Sequence, residues 1–296
     1  MDFSDVMDEL RAWIDEMERS GAKPDADAIS AHLQELVKRA NSAPEFSFNG
    51  LSRGEMSLML HAPFSDRCPV RIREMGDEDI SRIPLMRQML LLMKMLGSRE
   101  LKLTQSGYIP PKIVMELRAA GIAPDTGGRT LKEADAADVR VVRVVLQELK
   151  LIKVRLGRMS LTAKGQKLLK SRSALLRETM MFLMNEYNTA WLDGWEDPMP
   201  GNIGRLYSLW LLHHFGSEWH DREFYEKEYC GAFSMPDAKN SYYLRIFIYL
   251  FPMLGLCEFR SLFNKATGNW EHTLRKTDLL ELVFSFTDPA EKAQNS

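Results

Sequence analysis

Basic side chains are concentrated in one stretch of the chain. Between Val139 and Arg172 there are ten Lys or Arg residues and a single acid, Glu148. Lysine and arginine donate charged hydrogen bonds to phosphate oxygens, and a cluster of them binds polyanions in a salt-dependent way. The stretch therefore indicates a surface suited to nucleic acid, provided that the fold exposes these side chains.

Their spacing predicts an amphipathic helix over residues 138–150. Apolar residues recur at three- and four-residue steps on the inward face, whereas the outward face is polar. The inward positions are Val139, Val142, Leu146 and Leu149, and the outward positions are Arg140, Arg143, Gln147 and Lys150. Outward side chains of this kind suit a helix that contacts base edges and phosphates.

A short hairpin is predicted to follow this helix. Alternation places Ile152, Val154 and Leu156 on one face, with Lys153 and Arg155 on the other. We expect a turn at Gly157-Arg158, after which Met159 and Leu161 return on the buried face. Thr162 is a suitable N-cap for the helix AKGQKLLKS.

The preceding elements complete a recognisable order. A helix is predicted at Ile83–Leu96, a short strand in ELKLT at 100–104, and a helix from Ile109-Pro110-Pro111 to about Gly121. The sequence thus gives helix, strand, helix, helix, strand, strand, which is the arrangement of a winged helix. The segment LTAKGQKLL at 161–169 resembles the LTxxGxxLL segment that closes the wing in MarR-like and PadR-like bacterial regulators.

That resemblance covers roughly residues 80–172 and implies a non-enzymatic DNA-binding or regulatory protein. Lysine and arginine would supply phosphate contacts, and Arg140, Arg143 and Gln147 would give selectivity in the major groove. The predicted nucleic-acid-binding residues are Arg140, Arg143, Gln147, Lys150, Lys153, Arg155, Arg158 and Lys164.

The pattern is predicted to recur, more weakly, near the C-terminus. Three helical segments, RLYSLWLLHHFG, DREFYEKEYCGAF and NSYYLRIFIYLFPMLG, precede two candidate strands, LCEFRSLF and WEHTLRKT. The LTxxG residues are absent there. We therefore predict a mostly α protein with short β-hairpins: an N-terminal helical region at 1–78, a winged helix at 79–172, a connecting helix and linker at 173–203, a second winged-helix-like domain at 204–288 and a polar tail at 289–296.

A histidine-rich segment offers a different chemistry. It contains metal-binding residue types, namely His213, His214, Glu218, His220 and Cys230. Neither an HExxH motif nor a pair of closely spaced cysteines is present, and adjacent residues on a helix point in different directions. We expect no metal and no cofactor, and a metal-dependent enzyme is the third alternative.

Bulk composition leaves two main alternatives open. The net charge is −2, and residues 1–20 carry seven acids against Arg11 and Arg19, so charge is segregated along the chain. Three scattered cysteines, no basic signal-like start and no long apolar run predict a cytoplasmic protein that does not enter a membrane. The expected partner is double-stranded DNA, and the rival hypothesis is a protein-interaction scaffold, including self-association, built from the same winged helices.

Overall fold

The computed structural model describes residues 3–121, 131–194, 197–235, 239–264 and 269–287. The chain divides into two compact units, one formed by residues 1–69 and 287–296 and the other by residues 70–286. It is mostly helical with short antiparallel strands, as predicted. The predicted polar tail at 289–296 lies outside the described residues.

The first unit is helical. Its helices are α1 (Phe3–Arg19), α2 (Ala26–Ser42) and α3 (Arg53–His61). The core between α1 and α2 is formed by Val6, Leu10, Leu36 and Ala40.

Local chemistry fixes the start of α3. The Glu55 amide donates to the Ser52 hydroxyl at 3.3 Å, and the Ser52 amide donates to the Glu55 carboxylate at 2.8 Å. Together these two hydrogen bonds form a capping box. Before this helix, Phe46–Phe48 form a single 3₁₀ turn, which ends at Asn49 in the left-handed region.

The second unit holds the remaining elements. Its helices are α4 (Asp77–Ile80), α5 (Pro84–Ser98), α6 (Pro111–Ala120), α7 (Ala137–Glu148), α8 (Ala163–Leu169), α9 (Arg172–Asn185), α10 (Arg205–Phe215), α11 (Arg222–Phe233), α12 (Lys239–Tyr243), α13 (Phe251–Met253) and α14 (Asp278–Val283). Its strands are β1 (Val70–Ile72), β2 (Leu101–Lys102), β3 (Ile152–Arg155), β4 (Arg158–Leu161), β5 (His220–Asp221), β6 (Cys257–Asn264), β7 (Asn269–Lys276) and β8 (Phe284–Phe286).

The described part of residues 84–161, here called the first module, forms three α-helices and one antiparallel sheet. The strand order is β2-β4-β3, so the short strand after α5 pairs with the far side of the later hairpin. Leu101, Met159 and Val154 share one face across the three strands, on which Met159 is buried whereas Val154 is 39% exposed. The sheet therefore covers the helices with one apolar face, as the alternation predicts.

Residues 205–276, here called the second module, repeat this topology. The order is again helix, strand, helix, helical segment and hairpin, and the strand order is β5-β7-β6. Strand β5 was not predicted, because its two residues, His220 and Asp221, show no apolar alternation. Between α12 and α13 the helix widens to π geometry over Leu244–Leu250, which 3.6-residue periodicity does not reveal.

Part of the predicted linker packs around a buried arginine, although Asp197, Pro198 and Met199 are exposed. Arg245 is fully buried and donates to the Asp193 carboxylate at 2.8 and 3.1 Å. It also donates to the carbonyl oxygens of Asp197 and Pro200. The Gly and Pro residues here belong to a loop that surrounds the Arg245 guanidinium. Such a loop has the same composition as a linker, so composition alone does not distinguish the two.

Candidate nucleic-acid interface

The solvent face of the first module's sheet is cationic. Side chains directly opposite each other in an antiparallel pair lie on the same face. Arg155 pairs with Arg158, and Arg158 pairs with Lys102 on the other side. The strands thus place three cations in one row across the sheet, and Lys153 lies on the same face opposite Ser160.

This row is open. Lys102, Lys153, Arg155 and Arg158 are exposed. None of them forms an ion pair with a residue in the described part of the chain, and the strands supply no Asp or Glu to this face. Like charges directly opposite each other destabilise a sheet, so the row works against the fold in the absence of an anion.

Lys102 belongs to this surface although the sequence analysis did not single it out. The alternation in ELKLT does place it on the outer face. What the sequence does not disclose is that β2 joins β4 directly across from Arg158, because strand pairing is a tertiary property.

The turn at the tip of the hairpin lies one residue earlier than predicted. Leu156 and Gly157 form the two-residue turn, with φ values of 51° and 69°, and Arg158 is already in β4. Leu156 is therefore at the tip and 92% exposed, not on the buried face as predicted. Leu103 donates its amide to the Gly157 carbonyl at 2.9 Å, which ties β2 to the turn.

Helix α7 presents only part of its predicted outward face. Arg140 is exposed, as is Lys150 just beyond the helix C-terminus, whereas Arg143 and Gln147 are half-buried. Val139, Val142 and Leu146 are buried as predicted, and Val141 and Val145 are buried as well. The buried face is thus wider than the predicted stripe, so fewer side chains of α7 are exposed to a ligand than predicted.

The Arg143 guanidinium is held by protein acceptors. It donates to Glu133 at 3.0 Å, to the Gly107 carbonyl at 2.9 Å and to Gln147 at 3.0 Å. Glu133 is buried and also accepts a hydrogen bond from the Ile109 amide. The ion pair of Arg143 and Glu133 therefore holds the segments that precede α6 and α7 against α7.

Glu133 is a second residue that the sequence analysis missed. It lies in a 3₁₀ turn at Glu133–Asp135, just before α7. Nothing in the local sequence identifies it as the partner of a residue ten positions later. The predicted outward orientation of Arg143 is corrected by this contact.

Lys164 is also engaged. Its ammonium group donates to the Leu149 carbonyl at 3.1 Å and pairs with Glu178 at 2.6 Å. A lysine at the last carbonyls of a helix stabilises its negative end. Lys164 therefore links the end of α7 to α9, and its charge is partly neutralised.

The LTxxG segment forms a clamp at the base of the hairpin. The Thr162 hydroxyl donates to the Lys150 carbonyl at 2.8 Å and accepts from the Gly165 amide at 3.0 Å, which confirms the predicted N-cap. A Cβ at position 165 would lie closer than 3.0 Å to the Leu151 carbonyl oxygen. The threonine and the glycine are thus both required because β3 and α8 meet at this corner.

The second module has the same clamp. The Thr277 hydroxyl donates to the Gly255 carbonyl at 2.6 Å and accepts from the Leu279 amide. The Thr162 amide donates to Leu151, and the Thr277 amide donates to Leu256, both at 2.9 Å. The residues before these leucines, Lys150 and Gly255, both have positive φ, at 58° and 72°. The two corners therefore share the threonine contacts and the positive-φ residue, although Thr162 accepts from the amide three residues later and Thr277 from the amide two residues later.

The described strands of the second hairpin carry charges of both signs on one face. Glu258 lies opposite Arg275 and forms an ion pair with it at 2.5 Å, and Leu262 lies opposite Glu271. The guanidinium groups of Arg260 and Arg275 lie 4.5 and 4.7 Å from the ring of Trp219. Arginine charge on this hairpin is thus shared with an acid and an aromatic ring.

The three histidines of the histidine-rich segment contact different residues and do not share a site. His213 bonds to Glu281 at 3.0 Å and stacks on Phe286, whereas His214 stacks on Trp210. His220 bonds to the Phe215 carbonyl. Within the described ranges, no group of three or more His, Cys, Asp or Glu residues has the arrangement of a metal site.

Glu281 has a perturbed pKa in this segment. Burial alone would raise the pKa of this carboxyl, but hydrogen bonds from His213 and Lys276 hold it below its usual value. Its ionised form therefore stabilises the junction of α10, β7 and α14.

Comparison with protein-family models, with curated protein sequences and with solved structures gives no match for this chain. Among the helices that the structure describes, none combines the length and the apolar character needed to cross a bilayer.

Proposed function

We propose that this chain binds double-stranded DNA, and that its first module is a winged helix whose sheet supplies the main contact surface. The order helix, strand, helix, helix, strand, strand supports this fold, and so does the strand order β2-β4-β3. The second module has the same order and the same clamp, which supports a tandem arrangement.

One observation carries the DNA proposal: the row formed by Lys102, Arg158 and Arg155. Neighbouring strands are about 4.8 Å apart, so the row extends over about 10 Å. Duplex DNA carries one negative charge per about 1.7 Å of its axis, so several phosphates fit such a row. Phosphate would relieve the mutual repulsion of the three cations, and no described acid does so.

Two further cations of the first module are exposed. Arg140 is exposed on α7, and Lys150 follows it at the helix end, beside the hairpin. Arg143, by contrast, stabilises the module through Glu133 and positions α7. Contacts to phosphate therefore dominate over contacts to base edges, and we expect strong salt dependence with modest sequence selectivity.

This proposal describes a binding protein and not an enzyme. Its test is the salt dependence of duplex binding, measured by fluorescence anisotropy with the full chain and a labelled duplex of about 20 base pairs. Each phosphate contact that is lost should reduce the slope of log K against log [salt] by about 0.9. The double variant Arg155→Gln/Arg158→Gln should therefore lose about two units of slope.

A matched control exists in the second module. The variant Arg260→Gln/Arg275→Gln removes the same charge from the equivalent hairpin, where the arginines contact Trp219. Its slope should equal that of the wild-type chain. Equal slopes for all three proteins, or no binding by the wild-type chain at low salt, would refute the proposal.

A protein-interaction scaffold is the second candidate, favoured by a specific feature of β6. Phe259 and Leu262 are 43% and 50% exposed on a hairpin whose charges are largely paired. Exposed apolar residues on a long hairpin are suited to protein contact. Sedimentation analysis of the wild-type chain and of Leu262→Glu tests this candidate, which requires self-association or partner binding that the variant weakens.

A further inference from the structure

The tip of the first hairpin carries an unusual residue. Leu156 occupies the first central position of the two-residue turn, with φ at 51°, and Gly157 follows at 69°. Turns with two positive φ values favour Asn-Gly or Gly-Gly, because the Cβ of other residues crowds the backbone in this region and Asn offsets that cost with local hydrogen bonds. Leucine is therefore a strained choice here.

Its environment does not compensate for that strain. The side chain is 92% exposed, so almost none of its apolar surface is buried. A backbone outlier that also exposes a large apolar side chain indicates a contact made outside the folded chain.

Among the described residues of this module, one other residue that is not glycine is left-handed, and it has an internal explanation. Lys150, with φ at 58°, ends α7: the next amide, that of Leu151, donates back to the Leu146 carbonyl at 2.8 Å. Gly255 occupies the equivalent place in the second module. Leu156 does not end a helix. A glycine or an asparagine would form the same hairpin turn with less strain.

The neighbours of Leu156 suggest what it contacts. Arg155 and Arg158 flank it on the two strands and lie directly opposite each other. Proteins that enter the minor groove combine arginine or lysine with an apolar wedge, which is inserted between base pairs and kinks the duplex.

We propose that Leu156 is such a wedge: it inserts from the minor groove between two base pairs of bound DNA, while Arg155 and Arg158 contact the phosphates on either side. This inference rests on the proposed DNA binding. It adds a contact that depends on apolar surface and not on charge, and it implies that binding unstacks and bends the duplex.

The variant Leu156→Asn provides the test. Asparagine suits the turn, so the folded chain should be at least as stable as the wild type, as thermal unfolding would show. Binding to a duplex that carries 2-aminopurine at successive positions should raise the fluorescence of one or two positions with the wild-type chain. With Leu156→Asn that increase should be lost, and the affinity should fall by about tenfold, as expected for the loss of a buried leucine side chain.

The salt slope separates this inference from the proposed function. Leu156→Asn removes no charge, so its slope should match that of the wild type, whereas Arg155→Gln/Arg158→Gln should lower the slope. Leu156→Met keeps an apolar side chain and should retain the fluorescence signal.

Two results would overturn the wedge while leaving DNA binding intact. One is salt-dependent binding by the wild-type chain without any rise in 2-aminopurine fluorescence. The other is unchanged affinity and unchanged fluorescence in Leu156→Asn. Absence of duplex binding by the wild-type chain would overturn the wedge and the proposed function together.

Discussion

Arg155 and Arg158 lie directly opposite each other on neighbouring strands, and neither forms an ion pair with a residue that the structure describes. Opposed like charges reduce the stability of a hairpin. A surface selected only for stability would place an acid at one of the two positions, as the second hairpin does with Glu258 and Arg275.

Stability and binding should therefore respond in opposite directions to Arg155→Glu. The change replaces a repulsive cross-strand pair with an attractive one, so we expect the free energy of unfolding to rise by about 0.5 kcal/mol. Duplex affinity should fall below that of Arg155→Gln, because a negative charge is added to the phosphate-binding row. Chemical denaturation and anisotropy measure the two effects, and a loss of stability would contradict the proposed arrangement.

Gly165→Ala should be strongly destabilising. Its Cβ would overlap the Leu151 carbonyl, so β3 and α8 would have to separate, and we expect a loss of about 2–3 kcal/mol. Gly231→Ala is the matched control, because a Cβ at this exposed position in α11 meets no other atom within 4 Å. The control should gain up to about 1 kcal/mol from helix propensity. Similar effects of the two substitutions would show that the clamp does not need its glycine.

Glu133 and Arg143 should behave as a coupled pair. Removing either partner alone leaves a buried or half-buried charge, so Glu133→Gln and Arg143→Met should each lower the free energy of unfolding by about 3 kcal/mol. The double variant should lose much less than the sum. A double-mutant cycle by urea denaturation measures this coupling, and strict additivity would mean that the ion pair does not fasten the two segments.

The contribution of Glu281 to stability should depend on pH. Its pKa in the folded chain is lowered, so its carboxylate stabilises the fold above the unfolded value of about 4.3. That contribution should be complete at neutral pH and lost as the pH falls through the lowered folded value. The difference in unfolding free energy between the wild type and Glu281→Gln should therefore shrink on acidification below about pH 4.

Glu148→Gln serves as the control for this pH series. Glu148 is exposed, and its carboxylate forms no ion pair with a described residue. Its substitution should leave the unfolding free energy nearly unchanged across the pH range. A difference for Glu281→Gln that does not change with pH would contradict the assigned hydrogen bonds from His213 and Lys276.

Patterns that depend on neighbours in sequence were predicted well. The helix α7, the strands β3 and β4 and the Thr162 cap follow from apolar spacing and local hydrogen-bond chemistry. The same reasoning located the helices and the long hairpin of the second module, because their apolar residues are periodic.

The orientation of individual side chains was harder to predict. Arg143 occupies a position that helical geometry allows to face outward, yet a buried acid ten residues earlier turns it towards the module. Leu156 fits the alternation of β3, but two positive φ values end the strand before it. In both cases the deciding interaction is tertiary or depends on backbone strain, and neither leaves a periodic signal.

The paired clamps have a consequence for how this architecture can vary. The strands of the first hairpin have four residues each and those of the second have eight, yet Thr162 and Thr277 close both at the same kind of corner. The junction fixes the point at which each hairpin leaves its module. It does not limit the length of the hairpin. The length of the hairpin and its surface residues can therefore change without disturbing the junction. The same fold can thus carry hairpins that bind different ligands.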